Sequence, residues 1–324
     1  KLWQYIKDDL EGYAAAHSLD NEFNHVCLVQ PCKWHHHETT SMFPRQCSGQ
    51  RRSSIRENMH LVVQRYVKPW TKDRGAGLAL ILNAGHLARF TALTDDVATY
   101  CKASVFISHC WGEAFHDSVH TIRQSLSLDT VVWICSFALY QHGPLSEALR
   151  HLEHCPFARA MRVASRVLTV TDHTVEALER CWCVLEAALA HKWRIPYDIS
   201  LPDDTNVDLW RSVGERIQAL DLENCKATRD EDKKAIIAYA KQEHGSVHEL
   251  NRHVHEIGRS AMVSATILQA CKRGDIVTLT EFGIPNLLKW KSIRGRSVIH
   301  ITAEHSQVAC MMEALEFTDN VHLN

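Results

Sequence analysis

The sequence predicts an α/β fold, with a mainly parallel sheet covered by helices and an all-helical C-terminal region. Three observations predict it. Four short apolar runs, Ala103–Ser108, Thr130–Phe137, Arg166–Thr171 and Ile195–Leu201, have the length and composition of buried strands. Segments with helical spacing alternate with them. After Pro202 the strand signal stops and helical spacing alone continues. Apolar strands alternating with amphipathic helices argue for a sheet covered on both faces. Such open sheets place ligands beyond the carboxyl ends of their strands.

The elements follow in order. Within Lys1–Phe23, Leu2, Ile6, Leu10 and Tyr13 recur at helical spacing. From Cys27 to Arg56 the chain is irregular, broken by Pro31 and Pro44, and reads as a long loop or linker. Met59–Val67 suits helix or strand, and a Gly75/Gly77 turn leads through Leu78–Leu82 into a short helix ending near Asn83 and Gly85. In the central region, Phe115–Leu126, Ser146–Leu152 and Thr174–Lys192 are the expected helices between the four strands. Pro202-Asp203-Asp204 stops the last strand. Val207–Leu220, Asp230–Glu243 and Val247–Met262 then form a helical extension.

A chain of 324 residues carries two or three compact units. Apolar content of 45% with 23% charged residues is that of an ordinary soluble globular protein. A formal charge of -2 gives no global basic field, which argues against nucleic acid as a partner. Arg51, Arg52 and Arg56 read as a solvated loop. No apolar stretch approaches a bilayer span. The first residue is Lys1, with no secretory segment after it, so a fragment of a longer protein is expected. The 12 cysteines are scattered, several inside apolar runs (Cys135, Cys181, Cys183, Cys271), which suits reduced thiols and a cytoplasmic location.

Two motifs carry chemistry. Phe106-Ile107-Ser108-His109-Cys110-Trp111-Gly112-Glu113-Ala114-Phe115 reads as a strand end, a glycine-containing loop and a helix start. Such a loop offers backbone N–H groups, an aromatic face and a rim carboxylate. The plainer reading makes Trp111 and Phe115 packing anchors. Adjacent residues of an extended strand point to opposite faces, which argues against a Ser108–His109 or His109–Cys110 nucleophile–base pair. The second motif is Glu179-Arg180-Cys181-Trp182-Cys183-Val184-Leu185-Glu186. Leu178, Cys181, Leu185, Ala188 and Leu189 share one face and should be core. Glu186 lies about 100° round from Leu185, one turn after Trp182. The plainer reading is a solvated surface glutamate. Cys181-x-Cys183 is too closely spaced for a zinc knuckle.

These two motifs, in this order, resemble the TIR family, whose pattern is a Phe-(Ile/Leu)-Ser strand end and a downstream Trp-Cys-x-x-Glu helix. They are also similar to a divergent TIR-like group in protist multidomain proteins. That group carries Ser-His-x-Trp-Gly-Glu, then Trp-Ile-Cys-x-Phe, here Trp133-Ile134-Cys135-Ser136-Phe137, then Trp-Cys-x-x-Glu. Tyr66-Val67-Lys68-Pro69 and Leu80-Ile81-Leu82-Asn83 look like that group's lead-in. The resemblance is tight over Ala103 to Leu201 and loose over Tyr66 to Met262. It implies a flavodoxin-like sheet and, in catalytic members, hydrolysis of the nicotinamide–ribose bond of NAD. NAD is then a substrate and no resident cofactor or metal is implied. The family's catalytic glutamate maps onto Glu186, with Ser108, Trp111, Phe115 and Trp182 lining the pocket. A pyridinium leaving group needs no general acid, and one carboxylate can stabilise an oxocarbenium-like transition state. The loop after the first strand departs from the commoner family forms, and many TIR domains only scaffold signalling.

Ile267-Leu268-Gln269-Ala270-Cys271-Lys272-Arg273-Gly274-Asp275 and Gly295-Arg296-Ser297-Val298-Ile299-His300-Ile301-Thr302-Ala303-Glu304 resemble ankyrin repeats. Ala270 and Ala303 are one repeat length apart. An ordinary helical hairpin is the plainer alternative. Two such repeats cannot bury a core alone, so they dock on the helical region or continue past Asn324. Cys27, Cys32, His35, His36, His37 and Cys47 could hold zinc, but no second regularly spaced pair follows, and a solvated His-rich loop is the expectation.

The expected organisation is an N-terminal helix and linker over 1–58, a TIR-like α/β domain with its lead-in over 59–202, a helical extension over 203–262, and ankyrin-like repeats over 263–324. The leading expectation is a TIR-like signalling protein that binds and hydrolyses NAD. Protein partners would bind the ankyrin-like segment, and the TIR-like domain would form homo-oligomers. The competing class is a non-enzymatic adaptor using both surfaces for protein contacts.

Overall fold

The computed structural model describes residues 17–18, 26–27, 58–87, 102–143, 151–203 and 206–321. The chain divides into two compact units, Lys1–Glu57 and Asn58–Asn324. In the first, His17–Ser18 pairs antiparallel with Val26–Cys27. The helical spacing from Leu2 to Tyr13 and most of the cysteine–histidine cluster lie outside the described residues.

The second unit is α/β. Its sheet comprises β1 (Val105–His109), β2 (Val132–Ile134), β3 (Arg166–Val170) and β4 (Tyr197–Ser200), in the order β2-β1-β3-β4, with every pair parallel. That order puts the first strand of this sheet inside, which is how doubly wound sheets begin. All five residues of β1 are buried. A central strand covered on both faces needs apolar residues at every position, and Val-Phe-Ile supplies them. Phe106 faces one core with Val167 and Leu185, while Val105 and Ile107 face another with Leu168, Val170 and Leu126.

The helices bounding the sheet unit are α1 (Leu78–Leu87), α2 (Phe115–Ser125), α3 (Pro156–Val163) and α4 (Cys181–Lys192). Then come α5 (Val207–Ala219), α6 (Asp230–His244) and α7 (Val247–Arg273), followed by α8 (Ile276–Glu281), α9 (Ile284–Lys289), α10 (Val298–Glu304) and α11 (Val308–Val321). α4 is buried nearly all round, including Cys181, Val184, Leu185, Ala188 and Leu189. It lies between the sheet and α6–α7, so it is a core helix without a solvated stripe.

Several expectations need correction. The apolar run over Thr130–Phe137 is strand only at Val132–Ile134, and Cys135–Ala138 turns into a short helix. Met59–Thr71 is helical, with a π-helical stretch at Val63–Val67, and the helix expected to end near Asn83 and Gly85 runs to Leu87. The helix expected over Thr174–Lys192 breaks. Val175 has φ 58°, Glu176–Glu179 is a 3-10 turn, and Arg180 is extended at φ -94° and ψ 124°. Tertiary pairing causes the break: Lys226 N–H donates to Glu179 and Cys181 N–H donates to Lys226. The expected helix end at Met262 is overrun by α7, 27 residues long, which stops where Gly274 takes φ 72°. Of Ser146–Leu152, only the last two residues are described; Leu152 opens a 3-10 turn.

Candidate active site at the carboxyl end of the sheet

β1 and α4 bring together the two sequence motifs. Ser108, the fourth residue of β1, shares the face of Phe106 and stands beside Thr169 of β3. Across from it, on the second turn of α4, is Glu186. The Ser108 hydroxyl donates to Glu186 Oε2 at 2.5 Å. Ser108 is 1% and Glu186 5% exposed. The solvated-surface reading of Glu186 is therefore wrong, because α4 is enclosed where the sequence suggested a flank.

Burial governs the electrostatics. Removal from water pushes the Glu186 carboxyl up to about 8, against the partial help of the Ser108 hydroxyl. It is a neutral acid over most of the physiological range. Its charge, when present, bears on Cys135, Cys155, Cys183 and Tyr197, so thiols and a phenol form its surroundings. No cation is among them. Cys135 and Cys183 are themselves held far from thiolate by burial, Cys135 at about 12.

Trp111 reaches the same region through Cys135. Its indole Nε1–H points at Cys135 Sγ at 3.3 Å, and His109 Nε2 lies 3.7 Å from the same sulfur. The ring of His60 meets Trp111 edge-on at 5.3 Å, and Met59 N–H donates to the Trp111 carbonyl. The helical run from Met59 thus closes over the loop. Phe115 starts α2, buried against Phe137 at 6.3 Å. Trp182, expected as a pocket wall, stacks on Phe157 at 5.1 Å and donates from Nε1 to Asp232 of α6. It ends an aromatic series that runs from Phe106 to Trp133 to Phe157.

The loop was expected to present open N–H groups. Instead Gly112 N–H meets Cys110 Sγ, Glu113 N–H meets the Cys110 carbonyl, and Ala114 N–H meets Asp172 Oδ2. Glu113, read from sequence as a rim carboxylate, points inward. It accepts from the Thr171 hydroxyl at 2.5 Å and from Ala177 N–H at 3.0 Å, while its Oε2 is buried and unpartnered. Burial, and then the charge of Asp172, push its carboxyl up to about 8. Asp172 follows β3 and accepts from both N–H and hydroxyl of Thr174. Asp117, Asp172 and His173 bring ligand-type atoms within 4.8 Å of one another, the only such grouping among the described residues.

Asp172 and Tyr197 have no individual signature in the sequence, and Glu113 and Cys135, though they fall within the motifs, carry nothing there that marks their burial. The one available hint is the polar Thr171-Asp172 directly after an apolar strand, where an α/β sheet exposes its binding edge. The fold and site define an α/β protein with a buried Ser–Glu contact at the carboxyl end of a parallel sheet. No family model, curated protein or solved structure matches this chain.

Proposed function

We propose that the sheet unit is a TIR-like domain that binds NAD and hydrolyses its nicotinamide–ribose bond, with Glu186 as the acting carboxylate and Ser108 holding it. The observation that carries the reading is the Ser108–Glu186 contact. It joins the two motifs on which the family resemblance rests, at the edge of the sheet where ligands bind. The parallel order β2-β1-β3-β4 is compatible with a flavodoxin-like sheet.

In the reaction, the bond between ribose C1 and the pyridinium nitrogen breaks, and its electron pair goes to that nitrogen, giving neutral nicotinamide. Water adds to C1 and releases a proton, giving ADP-ribose. Glu186 must be ionised to steady the positive charge that develops on the ribose. Burial opposes that ionisation, and the cationic pyridinium favours it on arrival. Activity therefore rises with pH as Glu186 ionises. Trp111, through Cys135, and Phe115, packed on Phe137, would supply aromatic surfaces to the ligand; Trp182 supports α4 through Phe157 and Asp232.

The tail serves protein partners as an ankyrin-like segment. Ser297 caps α10, its hydroxyl next to His300 Nδ1 at 2.6 Å, as the Ser-x-x-His spacing requires. Gly274 and Ser306 both take positive φ where one helix hands over to the next.

A second reading, the non-enzymatic adaptor, is favoured by the burial of Glu186 and its protonation near neutrality. The deciding experiment incubates the full chain with NAD, at concentrations that permit self-assembly, and follows nicotinamide release. Turnover abolished in Glu186→Gln supports the enzyme. No release from the wild-type chain at high concentration leaves the adaptor.

A further inference from the structure

A cleft lies where the edge strand β4 meets α7 and the loop between α9 and α10. Its cavity volume is about 80 Å3. Asp198 of β4, Trp210 of α5, Lys272 of α7, and Trp290, Arg294 and Arg296 of the loop line it. We propose that this cleft binds a dianionic phosphate ester carried on a planar ring.

Charge is the first argument. Three cations line the cleft against one carboxylate, Asp198, and that carboxylate already faces Arg166 at 3.4 Å. Arg294 is fixed in place, donating to the carbonyls of Arg123, Ser125 and Leu126 at the end of α2. Arg296 pairs with Glu304, yet its Nε–H is buried and has no acceptor among the described residues. A phosphate dianion answers several cations at once and matches guanidinium geometry.

The ring is the second argument. Two indoles line the same cleft, and Trp290 is held by donating from Nε1 to Ser264 at 3.1 Å. Flat apolar walls beside convergent cations suit a ligand with one aromatic and one dianionic end. Asp198, in the same lining, repels a second anion and so favours a single phosphate.

The test titrates the full chain with phenyl phosphate, inorganic phosphate and phenol, following tryptophan fluorescence and the thermal midpoint. Phenyl phosphate should bind saturably and about tenfold more tightly than either half alone. Arg296→Gln should weaken it by about tenfold, and Lys272→Gln by a smaller factor. Absence of saturable binding, equal binding of phenol, or equal binding of inorganic phosphate overturns the proposal. So does binding unchanged in Arg296→Gln. Should circular dichroism show that this variant does not fold, unchanged binding by Lys272→Gln overturns it in its place.

Discussion

Ser108 and Glu186 stand 78 positions apart in the chain and 2.5 Å apart in the fold, hydroxyl to carboxyl, both shut away from solvent. An acid in that position is kept because the fold holds it, for it gives up hydration and gains one hydroxyl. Its protonation state then follows from its surroundings, and the surroundings can be tested.

The first prediction concerns Glu186→Gln. The folded carboxyl sits at about 8, above its ordinary 4.5. A raised folded pKa gives stability that is complete below about pH 4.5 and lost as pH rises through 8. Glutamine mimics the neutral acid and does not ionise. The variant should match the wild type near pH 5 and exceed it by roughly 4 kcal/mol at about pH 9. Urea unfolding across that range measures it, and a constant difference would refute the assignment.

His109 has the opposite sign. Burial lowers it to about 4 from 6.5, and its Nδ1 has no partner among the described residues. The folded state resists the proton that the unfolded chain accepts, so stability falls as pH drops from 6.5 towards 4. The loss is about 3 kcal/mol when complete. Burial lowers His244 and His253 as well, adding to the same acid limb. His109→Phe should flatten that limb in denaturant titrations between about pH 4 and 7.

Gly77 tests the packing behind Cys135. A Cβ there would lie 2.2 Å from the Ala138 carbonyl oxygen and 3.0 Å from that of Phe137. Backbone cannot swing aside as a side chain can. Gly77→Ala should cost about 2–3 kcal/mol, read as a lower urea midpoint. A neutral substitution would mean that α1 does not rest on the turn after β2.

Arg294 fastens the tail to the sheet unit. Its guanidinium donates to carbonyls that α2 leaves unpaired at its end. Because the side chain is exposed, Arg294→Ala should lower global stability by only about 1 kcal/mol. Amide exchange in the last turn of α2 and in the loop from Trp290 to Arg296 should quicken by more than that implies. Unchanged exchange there would show that the arginine holds nothing.

How much of this was legible in the sequence differs by element. The four strands could be read because β1 and β3 carry short apolar runs, Val105-Phe106-Ile107 and Val167-Leu168, as central parallel strands do. The core face of α4 could be read from Cys181, Leu185, Ala188 and Leu189. The opposite face could not, since what covers it is α6 and α7, residues 230–273, and spacing within a helix says nothing of a distant partner. The same blindness hid the break at Arg180, which Lys226 imposes. At the site, the Ser108–Glu186 pairing came from motif order and not from chemistry legible in either residue. Trp182 was misplaced for the same reason, because its partners Phe157 and Asp232 come from α3 and α6.

The uninterrupted α7 has a practical corollary. Its first half contributes Leu250, Val254, Ile257 and Ala261 to the sheet unit's interior, and its last turns contribute Ile267, Ala270 and Cys271 to the tail's. One rod therefore belongs to two hydrophobic interiors. Cutting the gene at the compositional boundary near position 262 would sever that rod in mid-span, strip the tail of its wall, and take Ile293 from beneath β1 and β3. Anyone expressing the halves apart should carry the rod to Gly274 in the first and repeat it from Ser246 in the second.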